Sequence, residues 1–110
     1  MRWQRRYERV PFFCPVDVTV LPDGPTVPGH SFDISLGGVG ITLNTLLERG
    51  QDVHISFQLR HDSEKCDEES VLGRVADLES DADCNRVGIE FLGGIGQSRQ
   101  PLLATMIGSL

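Results

Sequence analysis

The chain has 110 residues, 39% of them hydrophobic and 24% charged, which fits one soluble globular domain rather than a disordered chain. No apolar run approaches the ~20 residues that span a bilayer, and the first ten residues lack the apolar segment of an export signal, so we expect a cytoplasmic protein without membrane insertion. The formal net charge of −6 argues against general nucleic-acid binding, because an acidic molecule repels phosphates.

The charge is unevenly distributed along the chain. The first ten residues hold four arginines and one glutamate, a balance of +3, whereas the other hundred carry six basic and fifteen acidic residues, a balance of −9. We interpret residues 1–10 as a flexible basic arm, because its like charges repel one another and it has little apolar surface to bury. Such an arm predicts a small anionic partner that is bound at one place.

Alternation of apolar and polar residues, typical of half-buried strands, recurs along the middle of the chain. Glycine, proline and aspartate clusters separate the alternating stretches, and the segment 61–70 is so polar that we predict a solvated loop there. Short strands at this spacing indicate an all-β domain over residues 11–97, built as an antiparallel barrel or sandwich. The patterns predict strands over residues 16–20, 28–36, 39–43, 51–60, 71–79 and 85–92.

The last segment, residues 98–110, has a different pattern. Apolar residues repeat at helical spacing, Ser98 can cap a helix, and Pro101 suits its first turn. A helix of about ten residues is not stable alone in water, so we expect it to dock on the barrel or on a partner. The face turned away from the apolar stripe holds mildly polar residues: Ala104, Thr105, Gly108 and Ser109.

The stretch HSFDISLGGVGI, residues 30–41, ends a predicted strand in three glycines. Residues two apart in a strand point to one face, so Asp33 and Ser35 should project together. Gly37 and Gly38 can adopt positive φ and let a ligand approach the backbone closely. The carboxylate suits a ligand edge with adjacent N–H donors, such as the Watson–Crick edge of guanine. The alternative is a hairpin turn in which Asp33 and Ser35 bond only to backbone.

A second motif lies in the basic arm, where Arg5 and Arg9 are four residues apart and Arg6 is adjacent to the first. Guanidinium groups pair with phosphates, bind the N7 and O6 acceptors of guanine and stack on bases. Arginines at this spacing share one side of a helix, or an extended arm can wrap them around a ligand. The alternative is a solvated basic segment that aids solubility.

Taken in order, the two motifs resemble the paired signatures of the PilZ domain family. RxxxR stands at Arg5–Arg9 and DxSxxG at Asp33–Gly38, and the predicted strands at 71–75 and 86–92 are similar to the family's last two. The resemblance covers residues 4–93. It implies an all-β fold, a six-stranded antiparallel β-barrel of the PilZ type, here with a short C-terminal α-helix, that binds the bacterial second messenger cyclic di-GMP.

The resemblance also implies roles for individual residues. The arginines would hold the phosphates and the Hoogsteen edge of guanine. The aspartate and the serine would take the other side of a guanine, and the last glycine of the second motif would leave space at the turn. The implied ligand-binding residues are Arg5, Arg6, Arg9, Asp33, Ser35 and Gly38.

The leading hypothesis is a non-enzymatic sensor of cyclic di-GMP. The nucleotide would neutralise the arm and clamp it against the 33–38 turn, and a downstream protein would read the ordered arm. A second hypothesis is an adaptor with the same fold that acts through protein contacts, a homodimer included, independently of nucleotide. A third is a single-stranded nucleic-acid binder on a small barrel, which the −9 body disfavours. The histidines and cysteines have no metal-ligand spacing and no catalytic arrangement, so we expect no metal, no cofactor and no enzymatic activity.

Overall fold

The computed structural model of the protein describes residues 9–60, 66–80, 84–93, 95–96 and 99–108. Strands and one helix account for most of these residues. In chain order they are β1 (Val10–Pro11), β2 (Pro15–Val20), β3 (Thr26–Ile34), β4 (Gly38–Leu43), β5 (Asp52–Arg60), β6 (Cys66–Ser80), β7 (Asn85–Phe91) and α1 (Pro101–Gly108).

Six strands of the described chain close into a barrel. Their order is β3-β2-β5-β6-β7-β4, and β4 pairs back with β3. Every pairing is antiparallel. β1 lies outside the barrel and pairs with β3 alone. The predicted six-stranded antiparallel barrel with a short C-terminal helix is therefore confirmed.

The interior of the barrel is filled by the apolar residues of the alternating stretches. On β5, the residues Val53, Ile55, Phe57 and Leu59 are all buried, as the period of two in the sequence requires. Burying one such side chain stabilises the fold by about 1.5–3 kcal/mol relative to leaving it in water. The same alternation fixes the register, because a shift by one residue would turn the whole apolar set outward.

The prediction of a loop over residues 61–70 is wrong for residues 66–70, because β6 begins at Cys66. This part of β6 pairs with the end of β5 and lengthens the hairpin between them. Its exposed polar residues conceal the strand pattern, and its inward-facing residue is the carboxylate Glu69, which is 9% exposed. Residues 61–65 lie outside the described part of the chain.

The helix α1 docks on the barrel, which is one of the two predicted alternatives; the other was docking on a partner. Leu103 and Ile107 are buried in the barrel core. Glu69 accepts hydrogen bonds from the backbone N–H groups of Leu102 and Leu103, with N···O distances of 2.8 and 2.9 Å. These N–H groups have no partner within the helix and carry its positive dipole end, so the carboxylate stabilises the helix where it begins.

The start of the helix agrees with the prediction, but its surroundings differ. Pro101 is the first helical residue, and Ser98, the predicted cap, lies outside the described residues. The side chain of Gln100 donates to the carbonyl of Ser70, at 3.0 Å, and ties the segment before the helix to β6. Ala104, expected on the outward face, is 8% exposed, because the contact with the barrel is wider than the apolar stripe.

Candidate functional site

An ion pair joins the two sequence motifs. Arg9 Nη1 donates to Asp33 Oδ1 at 2.7 Å, across 24 residues of sequence. The side chains are 12% and 23% exposed, so the pair is largely shielded from water. The pairing of β1 with β3 explains the contact, because Pro11 lies opposite Asp33 and Arg9 is therefore its diagonal neighbour on the adjacent strand.

The DxSxxG motif forms a tight turn between β3 and β4. The N–H of Ser35 donates to the carbonyl of Gly38 at 2.9 Å, and the N–H of Gly37 donates to Ser35 Oγ at 3.1 Å. Ser35 is only 3% exposed. The alternative interpretation, in which the side chain bonds only to backbone, therefore holds for Ser35, whose hydroxyl accepts from the N–H of Gly37 within the turn. It does not hold for Asp33, which is bonded to Arg9.

The glycines of this turn do not use the left-handed backbone region that the sequence suggested. Among the described residues, the glycine with a positive φ is Gly50, at 92°. The turn instead closes through the Ser35–Gly38 hydrogen bond, and Gly38 is already the first residue of β4. Gly37 and Gly38 therefore do not use the positive φ that is open to glycine.

Gly40 contributes to the site, although the sequence reasoning assigned it no role. A Cβ atom at this position would lie 2.4 Å from Phe32 Cζ and 2.8 Å from Asp33 Oδ1. The register of β3 against β4 shifts between Ser31 and Asp33, which is the mark of a β-bulge at Phe32. Gly40 makes room for the displaced ring and for the carboxylate, and the third glycine of GGVG is the signal that could have identified it.

The structure thus gathers part of the predicted site. Arg9 and Asp33 are in contact, and the turn that contains Ser35 and Gly38 follows Asp33 directly in the chain. Arg5 and Arg6 lie outside the described residues.

Metal-binding clusters and membrane-spanning helices are two further features that bear on function. No group of three or more His, Cys, Asp or Glu side chains that could hold a metal ion occurs among the residues described. Within the same residues, no helix is long and apolar enough to cross a membrane.

Several solved structures share this fold. The inhibitor of motility MotI (DgrA) from Bacillus subtilis matches with a TM-score of 0.73 and 18% identity, over 98% of this chain and 52% of its own. This chain therefore spans about half the length of that protein. The PilZ domain of YcgR from Escherichia coli, solved with c-di-GMP, matches with a TM-score of 0.71 and 21% identity, over 98% and 92% of the two chains. The PilZ domain of CeSA from a cellulose-synthesizing bacterium matches with a TM-score of 0.64 and 20% identity, over 93% and 97%.

At these identities the structural likeness establishes the fold, and the family follows from the sequence. A search of curated proteins found no match. The sequence model of the PilZ domain, in contrast, matches residues 4–107, which include the barrel, β1 and nearly all of α1. The chain belongs to the PilZ domain family.

Proposed function

We propose that the chain is a non-enzymatic receptor that binds cyclic di-GMP between its RxxxR arm and the turn formed by its DxSxxG motif. The observation that carries the proposal is the 2.7 Å contact between Arg9 and Asp33, one residue from each motif. Family membership and the c-di-GMP complex of the YcgR PilZ domain support the choice of ligand.

The chemistry of this pair fits guanine. Guanine presents two N–H donors on its Watson–Crick edge, which suit the carboxylate of Asp33, and the acceptors N7 and O6 on its other edge, which suit a guanidinium fork. A carboxylate has about four acceptor positions, so Asp33 can hold Arg9 and still accept from a base. Arg9 can likewise donate to a phosphate, since a guanidinium carries five N–H donors.

The other motif residues have supporting roles in this proposal. Ser35 and Gly38 keep the turn compact, so that backbone groups next to Asp33 remain accessible to a flat ligand. Arg5 and Arg6 supply further guanidinium groups for the phosphates and the second base. Four arginines in the first ten residues give a positive local charge on an otherwise acidic chain, which favours a compact anion over extended nucleic acid.

Signal transmission is proposed to follow from charge neutralisation. The dinucleotide brings two phosphate charges to the basic arm, so the repulsion among its arginines falls and the arm can close on the turn. A closed arm presents a different surface to a downstream protein than an open one.

Calorimetric titration of the full chain with cyclic di-GMP tests the proposal, with GTP and linear diguanylate as control ligands. Arg9→Ala and Asp33→Ala should each weaken binding about 10-fold to 100-fold, as the loss of charge-assisted hydrogen bonds implies. Arg74→Ala is the matched control, because Arg74 also pairs with an aspartate, at 2.8 Å from Asp52, but belongs to neither motif.

Two results would reject the proposal. One is the absence of binding heat from the full chain. The other is unchanged affinity when Arg5→Ala and Arg9→Ala are combined.

A nucleotide-independent adaptor is the second candidate, favoured by two exposed leucines. Leu72 is 50% exposed and Leu92 47% exposed, and both line a groove of about 620 Å³ between β6 and the segment before α1. Exposed apolar side chains beside a groove are typical of protein contact surfaces. Three results together would favour this candidate. Light scattering would show an oligomer without ligand, Leu72→Ser would abolish that oligomer, and cyclic di-GMP would have no effect on it.

A further inference from the structure

We propose that Phe13 is a stacking platform for one guanine base of the bound dinucleotide, an inference that rests on the proposed function. Phe13 belongs to neither motif. Its position, exposure and backbone surroundings distinguish it from the other aromatic residues of the described chain.

Phe13 exposes its ring although its neighbour is buried. Phe13 is 78% exposed and Phe12 is 8% exposed. The ring of Phe12 packs against Phe57 with a centroid distance of 6.2 Å, which accounts for its place in the core. No comparable packing accounts for Phe13, because a side chain exposed to this degree contributes little to the folded state.

A bulge in the backbone lies at Phe13, whose outward orientation continues the alternation of exposed Pro11 and Pro15 with buried Phe12 and Cys14. Pro11 lies opposite Asp33, and Pro15 lies opposite His30, so four steps on one strand face three steps on the other. The extra residue is Phe13, because the backbone groups on either side of it are bonded: Phe12 N–H donates to Phe32 O at 3.1 Å, and Ser31 N–H donates to Cys14 O at 2.9 Å. Bulges concentrate next to functional sites.

The bulge lies beside the ion pair. Arg9 precedes Pro11 by two residues and Phe13 follows it by two, while Pro11 itself faces Asp33. Diagonal neighbours in a regular strand pair are about 7–8 Å apart, within reach of aromatic and long side chains. This spacing applies to Arg9 and Asp33, whereas the bulge alters it at Phe13. Along the chain, Arg9 and Phe13 thus lie on opposite sides of Pro11, the residue that faces Asp33, and Pro11 and Phe13 are both exposed.

This arrangement supplies the two kinds of contact that a purine base needs. Asp33 and Arg9 can form hydrogen bonds in the plane of the base, and Phe13 can cover one of its faces. Proteins that bind unpaired bases combine such edge contacts with aromatic stacking. A phenylalanine suits the second task, since it has no polar atom that would need a partner when the base covers it.

The test is calorimetry of the full chain and of three variants at position 13. Phe13→Ala should weaken cyclic di-GMP binding about 5-fold to 100-fold, the usual effect of removing an aromatic ring from a base. Phe13→Leu should weaken it similarly, because leucine is apolar but has no π face, whereas Phe13→Trp should preserve it. Leu46→Ala is the matched control, since Leu46 is 72% exposed and lies in the connection between β4 and β5.

A spectroscopic readout separates stacking from a structural effect. Trp3 is the one tryptophan of the chain, so Phe13→Trp combined with Trp3→Phe reports on position 13 alone. Addition of cyclic di-GMP should quench the fluorescence of the tryptophan at position 13. The melting temperature of every variant should match that of the wild type.

The outcomes distinguish the inference from the proposed function. If the full chain binds and Phe13→Ala or Phe13→Leu binds equally well, or if the tryptophan at position 13 is not quenched, the stacking role is overturned and the receptor function stands. If the full chain does not bind, the proposed function fails, and the stacking role fails with it.

Discussion

Two arginine–aspartate pairs in this protein have nearly the same length but different surroundings. Arg9 and Asp33 are 2.7 Å apart and 12% and 23% exposed, whereas Arg74 and Asp52 are 2.8 Å apart and 50% and 46% exposed. The hydrogen bond and the charge of Asp52 raise the pKa of Arg74 above its ordinary value. Solvent screens the exposed pair and leaves it little effect on stability, while shielding strengthens the Arg9–Asp33 interaction.

The shielded pair restricts what a ligand can do. Removing Arg9 would deprive the largely shielded carboxylate of Asp33 of its ion-pair partner, which is more costly than losing an exposed pair. A ligand that binds here must therefore offer both a donor edge and an acceptor or anionic edge. Guanine linked to a phosphate offers both, which is why the pair supports a guanine nucleotide over a simple anion.

Gly40 provides a test of the site's geometry at a position that belongs to neither motif. In Gly40→Ala the new methyl group would lie 2.8 Å from Asp33 Oδ1 and 2.4 Å from the ring of Phe32, so ring and carboxylate must both shift. We expect the free energy of unfolding to fall by about 1–3 kcal/mol, as overpacking usually does. We also expect weaker cyclic di-GMP binding, because Asp33 moves relative to Arg9.

Urea denaturation and calorimetry would measure the two effects of Gly40→Ala. Gly93→Ala is the matched control, since a Cβ atom there has no neighbour within 4 Å. Equal stability and affinity for Gly40→Ala and the wild type would show that the packing around Asp33 tolerates the methyl group and does not position the carboxylate.

At the level of elements, the contact between β6 and α1 joins the C-terminal helix to the barrel. The helix has eight residues, too few to be stable alone, and its first N–H groups are bonded by Glu69. In Glu69→Gln one acceptor oxygen becomes an amide that faces a donor, and the charge that complements the helix dipole is lost. We expect a loss of about 1–2 kcal/mol in stability and faster hydrogen exchange in α1.

Hydrogen exchange followed by mass spectrometry would check the Glu69→Gln variant. Glu79→Gln is the control on the same strand, because Glu79 is exposed near the other end of β6. If the amides of α1 keep their protection in Glu69→Gln, apolar packing by residues such as Leu103 holds the helix without help from the carboxylate.

The elements that were predictable from the sequence are those with an uninterrupted period of two. β5 is the clearest, because its apolar residues alternate over its whole length and all of them are buried. The first part of β6 was missed because its inward-facing residue is Glu69, a carboxylate that is buried only because α1 offers it two N–H donors. A partner that lies more than thirty residues away in the sequence leaves no local signal.

The candidate site was predictable in its chemistry but not in its shape. Motif order indicated that Arg9 and Asp33 belong to one site, and they are in contact, while a role for each in ligand binding stays a prediction. The bulges at Phe13 and Phe32 were not predictable from the sequence. Each one exists only relative to a partner strand: Phe13 is the extra residue against β3, and Phe32 is the extra residue against β4. The role of Gly40 follows from the bulge at Phe32. The buried hydroxyl of Ser35 belongs to the turn between β3 and β4.

At the scale of the whole molecule, the positive charge is concentrated at the start of the sequence, whereas the described apolar core lies in the residues that follow. The first ten residues carry a balance of +3 and the remainder a balance of −9. The buried apolar cluster of the described chain, in contrast, starts at Phe12 and extends to Ile107. The described apolar core and most of the positive charge proposed for ligand capture therefore lie in different parts of the sequence, so this charge can be removed without changing any residue of that core.

Deleting residues 2–8 exploits this separation. The shortened chain keeps Arg9, β1 and every residue of the described core. We therefore expect an unchanged far-ultraviolet circular dichroism spectrum and a melting temperature within about 3 °C of that of the wild type, since the apolar burial of that core is retained. Cyclic di-GMP affinity should fall more than about 100-fold, because the deletion removes Arg2 together with Arg5 and Arg6, the two arginines proposed to form charge-assisted hydrogen bonds with the ligand. Replacing only Arg5 and Arg6 by alanine in the full chain should reproduce most of that loss, which assigns it to the guanidinium groups rather than to chain length. Full affinity in the shortened chain would instead confine the ligand to the barrel surface around Arg9 and Asp33, and signalling through an ordered arm would then have to be abandoned even though the receptor remained.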